Sequence, residues 1–349
     1  MFSKLKVQEI KKETNDAVSI AFEIPADLKS NFEYQSGQYI TIKSDIAGED
    51  IRRSYSLCSA PSEDDFRIGV KKVDNGRMSI FLNENLNVGD ELEVMNPTGN
   101  FCVKNFSANI VGFAAGSGIT PILSIIKTVL LSGGKFTLLY GNKSEEDTIF
   151  KTELDSLKEK YENQFDLFYT YDIGRSENEL YNGRIDKEKV TAFVKNNLEL
   201  LKSDEFFMCG PEPMIIDVSD SLKELGVNEN KIHFELFTAP TQQSETAEKP
   251  NSDFSGESQV TVIMDGDEFE FGLSSDGDFI LDAAMSNGAD VPFSCKGAVC
   301  CTCKAQVIEG EAVMEMNYSL SDKEVADGFI LTCQSHPASE KVVVDYDVS

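Results

Sequence analysis

The sequence predicts a multidomain chain: an antiparallel β-barrel, then an α/β domain with a parallel sheet, then a small cysteine-rich α+β domain. Three observations predict this order. Residues 1–106 contain short alternating strands, residues 107–238 alternate strand with helix, and a cysteine cluster lies in residues 258–349. A polar segment at 239–257 separates the last two and has too little apolar content to bury a core, which predicts a linker. With 349 residues, 41% of them hydrophobic, the chain is long enough for two or three folded cores.

The first segment shows the period of two that is typical of half-buried strands. Val18, Ile20 and Phe22 alternate with smaller or polar residues. Runs of the same kind occur at 38–43, 52–58, 66–73 and 91–95. The simplest assembly for several short strands separated by turns is a small antiparallel barrel.

Two motifs in this segment are suited to a flavin nucleotide. In the predicted strand Arg53-Ser54-Tyr55-Ser56, Arg53 and Tyr55 share one face and the two serines share the other. An arginine can neutralise a flavin phosphate, an aromatic ring can pack on the flavin, and a serine hydroxyl can hydrogen-bond near flavin N5. Gly76-Arg77-Met78-Ser79 then opens a helical run whose first N–H groups can hold phosphate. Taken alone, the first motif is better explained by an edge strand that exposes its arginine to solvent, and only the motifs that follow it favour flavin binding.

The second segment has the rhythm of a nucleotide-binding α/β domain. Apolar strands alternate with helical patterns that follow Pro121, Phe150, Asp186 and Pro213, which predicts a parallel sheet covered on both faces. The predicted strands are Ile110 to Ala115, Phe136 to Tyr140, Phe165 to Tyr171 and Phe206 to Cys209.

Turns that follow two of these strands are candidates for binding a dinucleotide. Gly116 and Gly118 let the backbone approach a pyrophosphate, and Thr120 is the predicted N-cap of the next helix. Cys209-Gly210-Pro211 follows another strand at the carboxyl edge, where open α/β sheets bind ligands. A thiol at Cys209 can contact the nicotinamide ring, although an isolated buried cysteine is common.

Four cysteines near the C-terminus have the ligand spacing of a 2Fe-2S cluster. Cys295, Cys300 and Cys303 form C-x4-C-x2-C, and Cys333 follows at a distance, which is the plant-type ferredoxin pattern. Structural zinc is the competing interpretation, but zinc modules usually pair two C-x2-C knuckles and only one is present. Cys301 has no place in the ligand pattern and is predicted to pack without ligating.

Charge and cysteine usage limit the partners and the compartment. The net charge of −28 disfavours nucleic acid and anionic membranes as partners, and the acidic C-terminal segment suits docking to a basic protein or simply solubility. The apolar stretch Ile110 to Leu131 is interrupted by glycines and Pro121, so a strand and a helix explain it better than a membrane span. Eight cysteines without a secretion signal predict a reducing cytoplasm.

In this order, the motifs resemble the ferredoxin-NADP reductase-like flavoprotein superfamily, in the form that carries a C-terminal plant-type ferredoxin domain. The resemblance covers essentially all of the chain outside the linker. The doubled Cys300-Cys301 and the segment Asn182-Gly183-Arg184-Ile185-Asp186 are most similar to the subfamily of phenylacetyl-CoA epoxidase reductase subunits. The motifs that carry the resemblance are Arg53-Ser54-Tyr55-Ser56, Gly116 to Pro121, Tyr140-Gly141-Asn142, Gly183 to Asp186, Cys209 to Met214 and Cys295 to Cys303.

The resemblance implies a fold and a set of cofactor contacts. It implies a β-grasp fold for the last domain, FAD at the barrel, and a nicotinamide nucleotide at the α/β domain. Phe237 matches an aromatic residue that lies near the flavin in relatives, and packing at the end of a strand is the alternative role for it. Glu235 is a weaker candidate for the same site. Lys143-Ser144 stands where the subfamily usually places a basic residue for a 2′-phosphate, which favours NADPH over NADH. The preference is narrow because the acidic residues that follow would repel that phosphate. The implied contacts are Arg53, Ser54, Tyr55, Ser56, Gly76, Met78 and Ser79 for flavin, and Gly116, Gly118, Thr120, Cys209, Gly210 and Pro211 for the nucleotide, with Ser56, Cys209 and Phe237 nearest the chemistry.

The predicted activity is electron transfer from the nicotinamide nucleotide through FAD to the 2Fe-2S centre and on to a partner oxygenase, in phenylacetate catabolism. Flavin is needed because hydride carries two electrons whereas the cluster accepts one at a time. Alternatives are a reductase of a Rieske-type oxygenase or of a hybrid-cluster protein, and a redox sensor or carrier without turnover. His233 and His336 are both expected to be structural.

Overall fold

The computed structural model describes residues 2–173, 176–238 and 254–348. The chain divides into two compact units, Met1–Leu236 and Phe237–Ser349. The predicted linker at 239–257 lies outside the described residues, apart from its last four.

The first half of the first unit is a curled antiparallel sheet, which confirms the predicted barrel. Its strand order is β4-β3-β6-β1-β2-β5, and a bridge between Leu57 and Ile68 links the chain after β4 to β5 across the opening. Helix α1 packs beside β5, β3 and β4. The elements are β1 Phe2–Lys12, β2 Ala17–Glu23, β3 Tyr39–Ile46, β4 Glu49–Ser56, β5 Phe66–Lys71, α1 Arg77–Glu84 and β6 Glu91–Met95.

Strand β1 was not predicted, although it pairs with both β2 and β6. Only Leu5 and Val7 are fully buried in its eleven residues, and charged residues surround them. Two buried positions give too short an alternation to stand out in the sequence, so pairing on both sides stabilises this strand more than its own pattern does.

The second half of the first unit is a parallel sheet with helices on its faces, as predicted. The strand order is β11-β10-β7-β8-β9, so the direction of progression reverses between β7 and β10. In open α/β sheets, ligands bind outside the carboxyl ends of the strands at such a reversal. The elements are β7 Asn109–Ala115, α2 Ile119–Leu131, β8 Lys135–Asn142, α3 Lys151–Lys160, β9 Phe165–Tyr171, α4 Lys187–Asn196, β10 Glu205–Cys209, α5 Glu212–Glu224 and β11 Ile232–Glu235.

Helix α2 joins the two halves of the first unit because it is apolar on nearly every side. Its buried side chains belong to one core with Cys58 and Phe101 of the barrel half and with the strands of the parallel sheet. The rings of Phe101 and Phe207 meet edge to face, with centroids 5.1 Å apart. The two halves therefore share a continuous hydrophobic core.

The second unit is a five-stranded mixed sheet of order β13-β12-β18-β14-β16 with helix α6 packed against it, the arrangement expected for a β-grasp domain. Strands β12 and β18 are parallel, and the other neighbours are antiparallel. The elements are β12 Glu257–Met264, β13 Asp267–Ser274, α6 Ile280–Ser286, β14 Lys304–Glu309, β15 Ala312–Met314, α7 Asp322–Ala326, β16 Phe329–Leu331, β17 Ser335–Pro337 and β18 Lys341–Asp345. Within the described part of the chain, none of the helices has the length and apolar content needed to cross a membrane.

Candidate functional site

The predicted cluster ligands lie on the loop between α6 and β14 and on a short turn after β16. Cys295 and Cys300 are adjacent, with 3.1 Å between their sulfur atoms. Lys296 and Ala298 have positive φ angles of 49° and 62°, which fold the loop tightly and turn its backbone toward the sulfurs. The N–H of Gly297 donates to the sulfur of Cys295 at 3.3 Å.

The four thiols interact as two pairs. The thiol of Cys300, together with backbone N–H groups, lowers the pKa of Cys295 to about 6, and the pKa of Cys300 is raised. The thiol of Cys303 and the backbone N–H of Ala298 lower the pKa of Cys333, while the pKa of Cys303 is raised. One thiol of each pair is therefore stabilised as the thiolate, the form that binds metal.

Two thiol pairs fit a 2Fe-2S cluster better than zinc. Each iron of such a cluster takes two cysteine ligands, and N–H groups directed at sulfur tune its potential. A structural zinc ion instead takes four ligands arranged as a tetrahedron around one centre. Cys301 is set apart from the pairs, because its side chain packs in the domain core and its sulfur lies 3.4 Å from the carbonyl oxygen of Ser319.

In β4, the predicted flavin strand, successive side chains of the motif lie on opposite faces, as the alternation predicts. Arg53 is exposed, Tyr55 is half-buried, and Ser56 is buried. Burial raises the pKa of Tyr55, so its phenol stays neutral. Ser54 turns to the other face and pairs its hydroxyl with that of Thr41 at 3.0 Å. The exposed guanidinium and the aromatic ring lie next to each other, as a flavin with its phosphates would require.

Ser56 lies beside a carboxyl group from the C-terminal end of the first unit. Its hydroxyl donates to Oε2 of Glu235 at 3.4 Å, although the two residues are 179 positions apart. Burial raises the pKa of Glu235 to about 8, opposed by the hydrogen bond from Ser56. The carboxyl group is therefore largely protonated at neutral pH and can give or take a proton there. Phe237, just beyond Glu235, is 41% exposed.

The turn before α1 forms the second part of the flavin motif. Gly76 is the N-cap of α1, and the hydroxyl of Ser79 bridges it by donating to the carbonyl of Gly76 and accepting from the N–H of Val73. The side chain of Met78 is buried in the barrel core, so only its backbone is placed to contact a ligand. The helix start thus offers N–H groups to an anion.

The glycine turn after β7 lies against the end of β10, so the two candidate nucleotide-binding turns are in contact. A Cβ on Gly118 would lie 2.0 Å from the carbonyl oxygen of Cys209, so no larger residue fits at this reversal point of the sheet. Gly116 has a φ of +52°, and its carbonyl accepts from the hydroxyl of Tyr140 at 3.0 Å. This close approach leaves backbone, rather than side chain, to face a pyrophosphate.

The prediction that Thr120 caps α2 is wrong. Residues Gly116–Gly118 form a 3₁₀ turn that runs directly into the helix, which begins at Ile119 with Gly118 as its N-cap. Thr120 lies inside the first turn, and its hydroxyl donates back to the carbonyl of Ser117 at 3.0 Å. The hydroxyl therefore stabilises the shape of the glycine turn instead of capping the helix.

Cys209 ends β10 level with Ala114 on one side and Glu235 on the other. Its side chain is fully buried, and burial together with the nearby Glu235 carboxylate raises the pKa of the thiol. Contact between this thiol and a nucleotide would require neighbouring groups to move. Gly210 packs against Ala115, and Pro211 is the N-cap of α5, so the helix starts directly at the site.

Lys71 is a candidate nucleotide contact that the sequence did not reveal. Its Nζ lies 3.9 Å from the position of a Cβ on Gly116, although Lys71 belongs to β5 of the barrel half. Asp16 lies 3.5 Å from the same nitrogen and is partly exposed. No local pattern marks this lysine, because its position follows only from the packing of β5 against the glycine turn.

The fold and the site define an electron-transfer oxidoreductase that combines a flavin module, a nicotinamide-nucleotide module and an iron–sulfur module. Models of three domain families match in this order: the oxidoreductase FAD-binding domain at residues 4–102, the oxidoreductase NAD-binding domain at 113–220, and the 2Fe-2S iron-sulfur cluster binding domain at 262–338.

The chain belongs to the family of oxygenase reductases with these three domains. It is 38% identical over 351 residues to one of the subunits of 1,2-phenylacetyl-CoA epoxidase from Escherichia coli (strain K12), covering 99% of this chain and 98% of that protein. It is 32% identical to the ferredoxin reductase component of 3-ketosteroid-9-alpha-monooxygenase from Rhodococcus rhodochrous, covering 98% and 96%. The solved structure of phthalate dioxygenase reductase matches with a TM-score of 0.61 at 24% identity over 99% of this chain and 98% of that one, which supports the fold.

Proposed function

We propose that this protein is the NAD(P)H-dependent reductase subunit of a phenylacetyl-CoA epoxidase. The observation that carries the proposal is the occurrence of all three cofactor sites in one chain that aligns along nearly its full length with the Escherichia coli epoxidase protein. When bound, flavin accepts a hydride as an electron pair, and the 2Fe-2S cluster takes electrons one at a time. The chain's own residues bind these groups, align them and exclude water.

The proposed contacts follow the geometry of the first unit. Arg53 and Tyr55 bind the flavin, and Ser56 with Glu235 places a hydroxyl and a protonated carboxyl beside it. The α1 start binds its phosphates through Gly76, the Met78 backbone and Ser79. The nucleotide contacts are Gly116, Gly118, Thr120, Gly210 and Pro211, joined by Lys71, with Cys209 as the candidate for the nicotinamide end. Phe237 is the candidate for an aromatic contact near the flavin ring. In the second unit, Cys295, Cys300, Cys303 and Cys333 hold the cluster.

We place the protein in the cytoplasm, where a reducing environment keeps thiols available for metal. The described residues include all eight cysteines, and no disulfide joins any of them.

The function is tested by anaerobic reduction of the purified holoprotein. We expect NADPH to bleach the flavin and then the cluster absorbance, and the reduced protein to support epoxidation of phenylacetyl-CoA by the oxygenase subunits of that enzyme. Absence of bleaching with both NADPH and NADH would overturn the reductase assignment and favour a simple carrier. Bleaching without support of epoxidation would instead overturn the choice of partner.

A second partner class is an oxygenase for another substrate. The 32% identity to the reductase component of a steroid monooxygenase, over nearly the whole of both chains, favours this alternative. Electron transfer to that oxygenase at a higher rate than to the epoxidase would support it.

The nucleotide preference is proposed to be for NADPH, through Lys143. Lys143 is exposed just beyond the carboxyl end of β8, and two of the acidic residues that follow it are engaged elsewhere. Glu145 lies 3.2 Å from the ammonium of Lys151, and Asp147 accepts from the hydroxyl of Ser144 at 2.7 Å. Lys143 is therefore an exposed cation placed to meet a 2′-phosphate.

Replacing Lys143 with alanine should raise the KM for NADPH about ten-fold, the value of one charged hydrogen bond, and should change the KM for NADH less than about two-fold. Steady-state kinetics with both nucleotides measure this. Lys135→Ala, at the opposite end of β8, is the matched control and should change neither constant. An unchanged KM for NADPH in Lys143→Ala would refute the assignment.

A further inference from the structure

A buried cation joins the barrel half to the parallel-sheet half of the first unit. The side chain of Lys127, in the middle of α2, is 8% exposed. Its ammonium lies 3.1 Å from Oε2 of Glu63 and 2.6 Å from Oε1 of Glu153. Burial alone would lower the pKa of Lys127, but the two carboxylates raise it above its ordinary value, so the lysine stays charged. A buried charge of this kind is tolerated only where it is paired.

The two carboxylates come from different halves of the unit. Glu153 lies on α3, so its pair with Lys127 is internal to the parallel-sheet half. Glu63 lies in the turn between β4 and β5, so its pair crosses to the barrel half. The carboxylate oxygen of Glu63 that meets Lys127 also accepts from the N–H of Ala60 at 2.8 Å, which fixes the shape of that turn.

A second contact lies one helical turn earlier on α2. The hydroxyl of Ser124 donates to the carbonyl of Ser59 at 2.6 Å, and both residues are fully buried. Residues three apart on a helix share one face. Ser124 and Lys127 therefore hold the segment from Ser59 to Glu63 at two points.

The segment from Ser59 to Glu63 and helix α2 each adjoin a proposed cofactor site. Ser59 follows Ser56, the last residue of the flavin strand, by three positions. Helix α2 begins at the glycine turn, where Thr120 also packs within 2.6 Å of the position that a Cβ on Gly69 of β5 would occupy. Hydride transfer requires the reacting atoms to lie about 3 to 3.5 Å apart, so the spacing between strand and helix matters for the rate.

We propose that Lys127, through Glu63, is a positioning residue that sets the spacing between the flavin strand and the nucleotide helix. This inference rests on the proposed function and adds to it a residue that is not among the proposed cofactor contacts. It separates the two carboxylates by role: Glu63 sets the alignment between the halves, and Glu153 only completes the charge pairing of Lys127.

The test compares Glu63→Gln with Glu153→Gln in the holoprotein, since each removes one carboxylate charge with little change of shape. Stopped-flow reduction at saturating nucleotide should slow about ten-fold in Glu63→Gln and less than about two-fold in Glu153→Gln, with the Kd of the nucleotide unchanged in both. Lys127→Met should slow reduction at least as much as Glu63→Gln if it folds.

Hydrogen–deuterium exchange supplies a readout that does not depend on turnover. Residues 59–65 should exchange faster in Glu63→Gln than in Glu153→Gln. Equal effects of the two substitutions on both the reduction rate and exchange, or a wild-type reduction rate in Glu63→Gln, would overturn the proposal. Failure of the unaltered protein to be reduced by either nucleotide would overturn the reductase function instead, while the exchange comparison would still test the contact.

Discussion

Cys300→Ser should abolish the 2Fe-2S centre while leaving nucleotide-dependent flavin reduction intact. The four proposed ligands form two thiol pairs, so loss of one thiol would leave one iron with a single cysteine ligand. Even outer-shell partners of a metal contribute 10 to 100-fold in affinity, so loss of a direct ligand should weaken cluster retention by more than about 100-fold. Iron and sulfide analysis and the paramagnetic resonance signal of the reduced protein measure this. Anaerobic bleaching of flavin by NADPH should proceed at the unaltered rate.

The neighbouring Cys301→Ser is the matched control for that substitution. Cys301 is buried like Cys300, but its side chain packs in the domain core and its sulfur lies near the carbonyl of Ser319. We expect full cluster content and a loss of no more than about 1 kcal/mol in the free energy of unfolding, the usual value of one hydrogen bond. Equal loss of cluster in both variants would contradict the ligand assignment.

Gly118→Ala is the second substitution with a large expected effect. Its new Cβ would lie 2.0 Å from the carbonyl oxygen and 2.3 Å from the carbonyl carbon of Cys209, and backbone atoms cannot turn away as a side chain can. The start of α2 and the end of β10 must move apart, at a cost of about 3 kcal/mol or more in the free energy of unfolding. A displacement of about 1 Å at this turn should slow hydride transfer roughly 100-fold. Chemical denaturation and stopped-flow reduction measure the two effects.

Gly272→Ala, in β13, is the control for a glycine-to-alanine substitution that leaves room for the new Cβ. A Cβ there would meet only the end of the Glu257 side chain, at 3.3 Å, which can move aside. We expect a change of less than about 1 kcal/mol in stability, as for an ordinary surface substitution, and no change in flavin reduction. Near-normal stability and reduction in Gly118→Ala would show that the turn opens more easily than its geometry indicates.

The predicted elements that proved right are those with strong local patterns. The strands of the parallel sheet are continuous apolar runs, and the helices after Pro121 and Asp186 follow recognisable start signals, so β7 to β10 and α2 to α5 were all expected. The cysteine spacing is local too, except for Cys333. The capping role of Thr120 failed because the 3₁₀ turn of Gly116–Gly118 continues into the helix, a backbone feature that residue types do not reveal.

What the sequence could not provide are the contacts between distant segments. Ser56 meets Glu235, Lys71 approaches Gly116, and Lys127 meets Glu63, and each pair joins elements that are far apart in the chain. Ser56, Gly116 and Glu235 were candidate contacts from their motifs, but no local pattern shows which residue each of them meets. Lys127 and Glu63 carry no signal in their own neighbourhoods, because an isolated charged residue usually lies on a solvated surface. Only the packing of the barrel half against the parallel-sheet half brings them together.

The parallel order of β11-β10-β7-β8-β9 gathers the proposed cofactor contacts of that half at one end of the sheet. The turns at the amino ends of the same strands therefore lie on the far side from the chemistry. Ser132, in the turn before β8, is exposed and has an ordinary φ of −87°, whereas the neighbouring Gly133 has a φ of +82°, at which a larger residue is strained. A dye or an affinity handle attached at Ser132 would report on the reductase during turnover without obstructing the proposed nucleotide site.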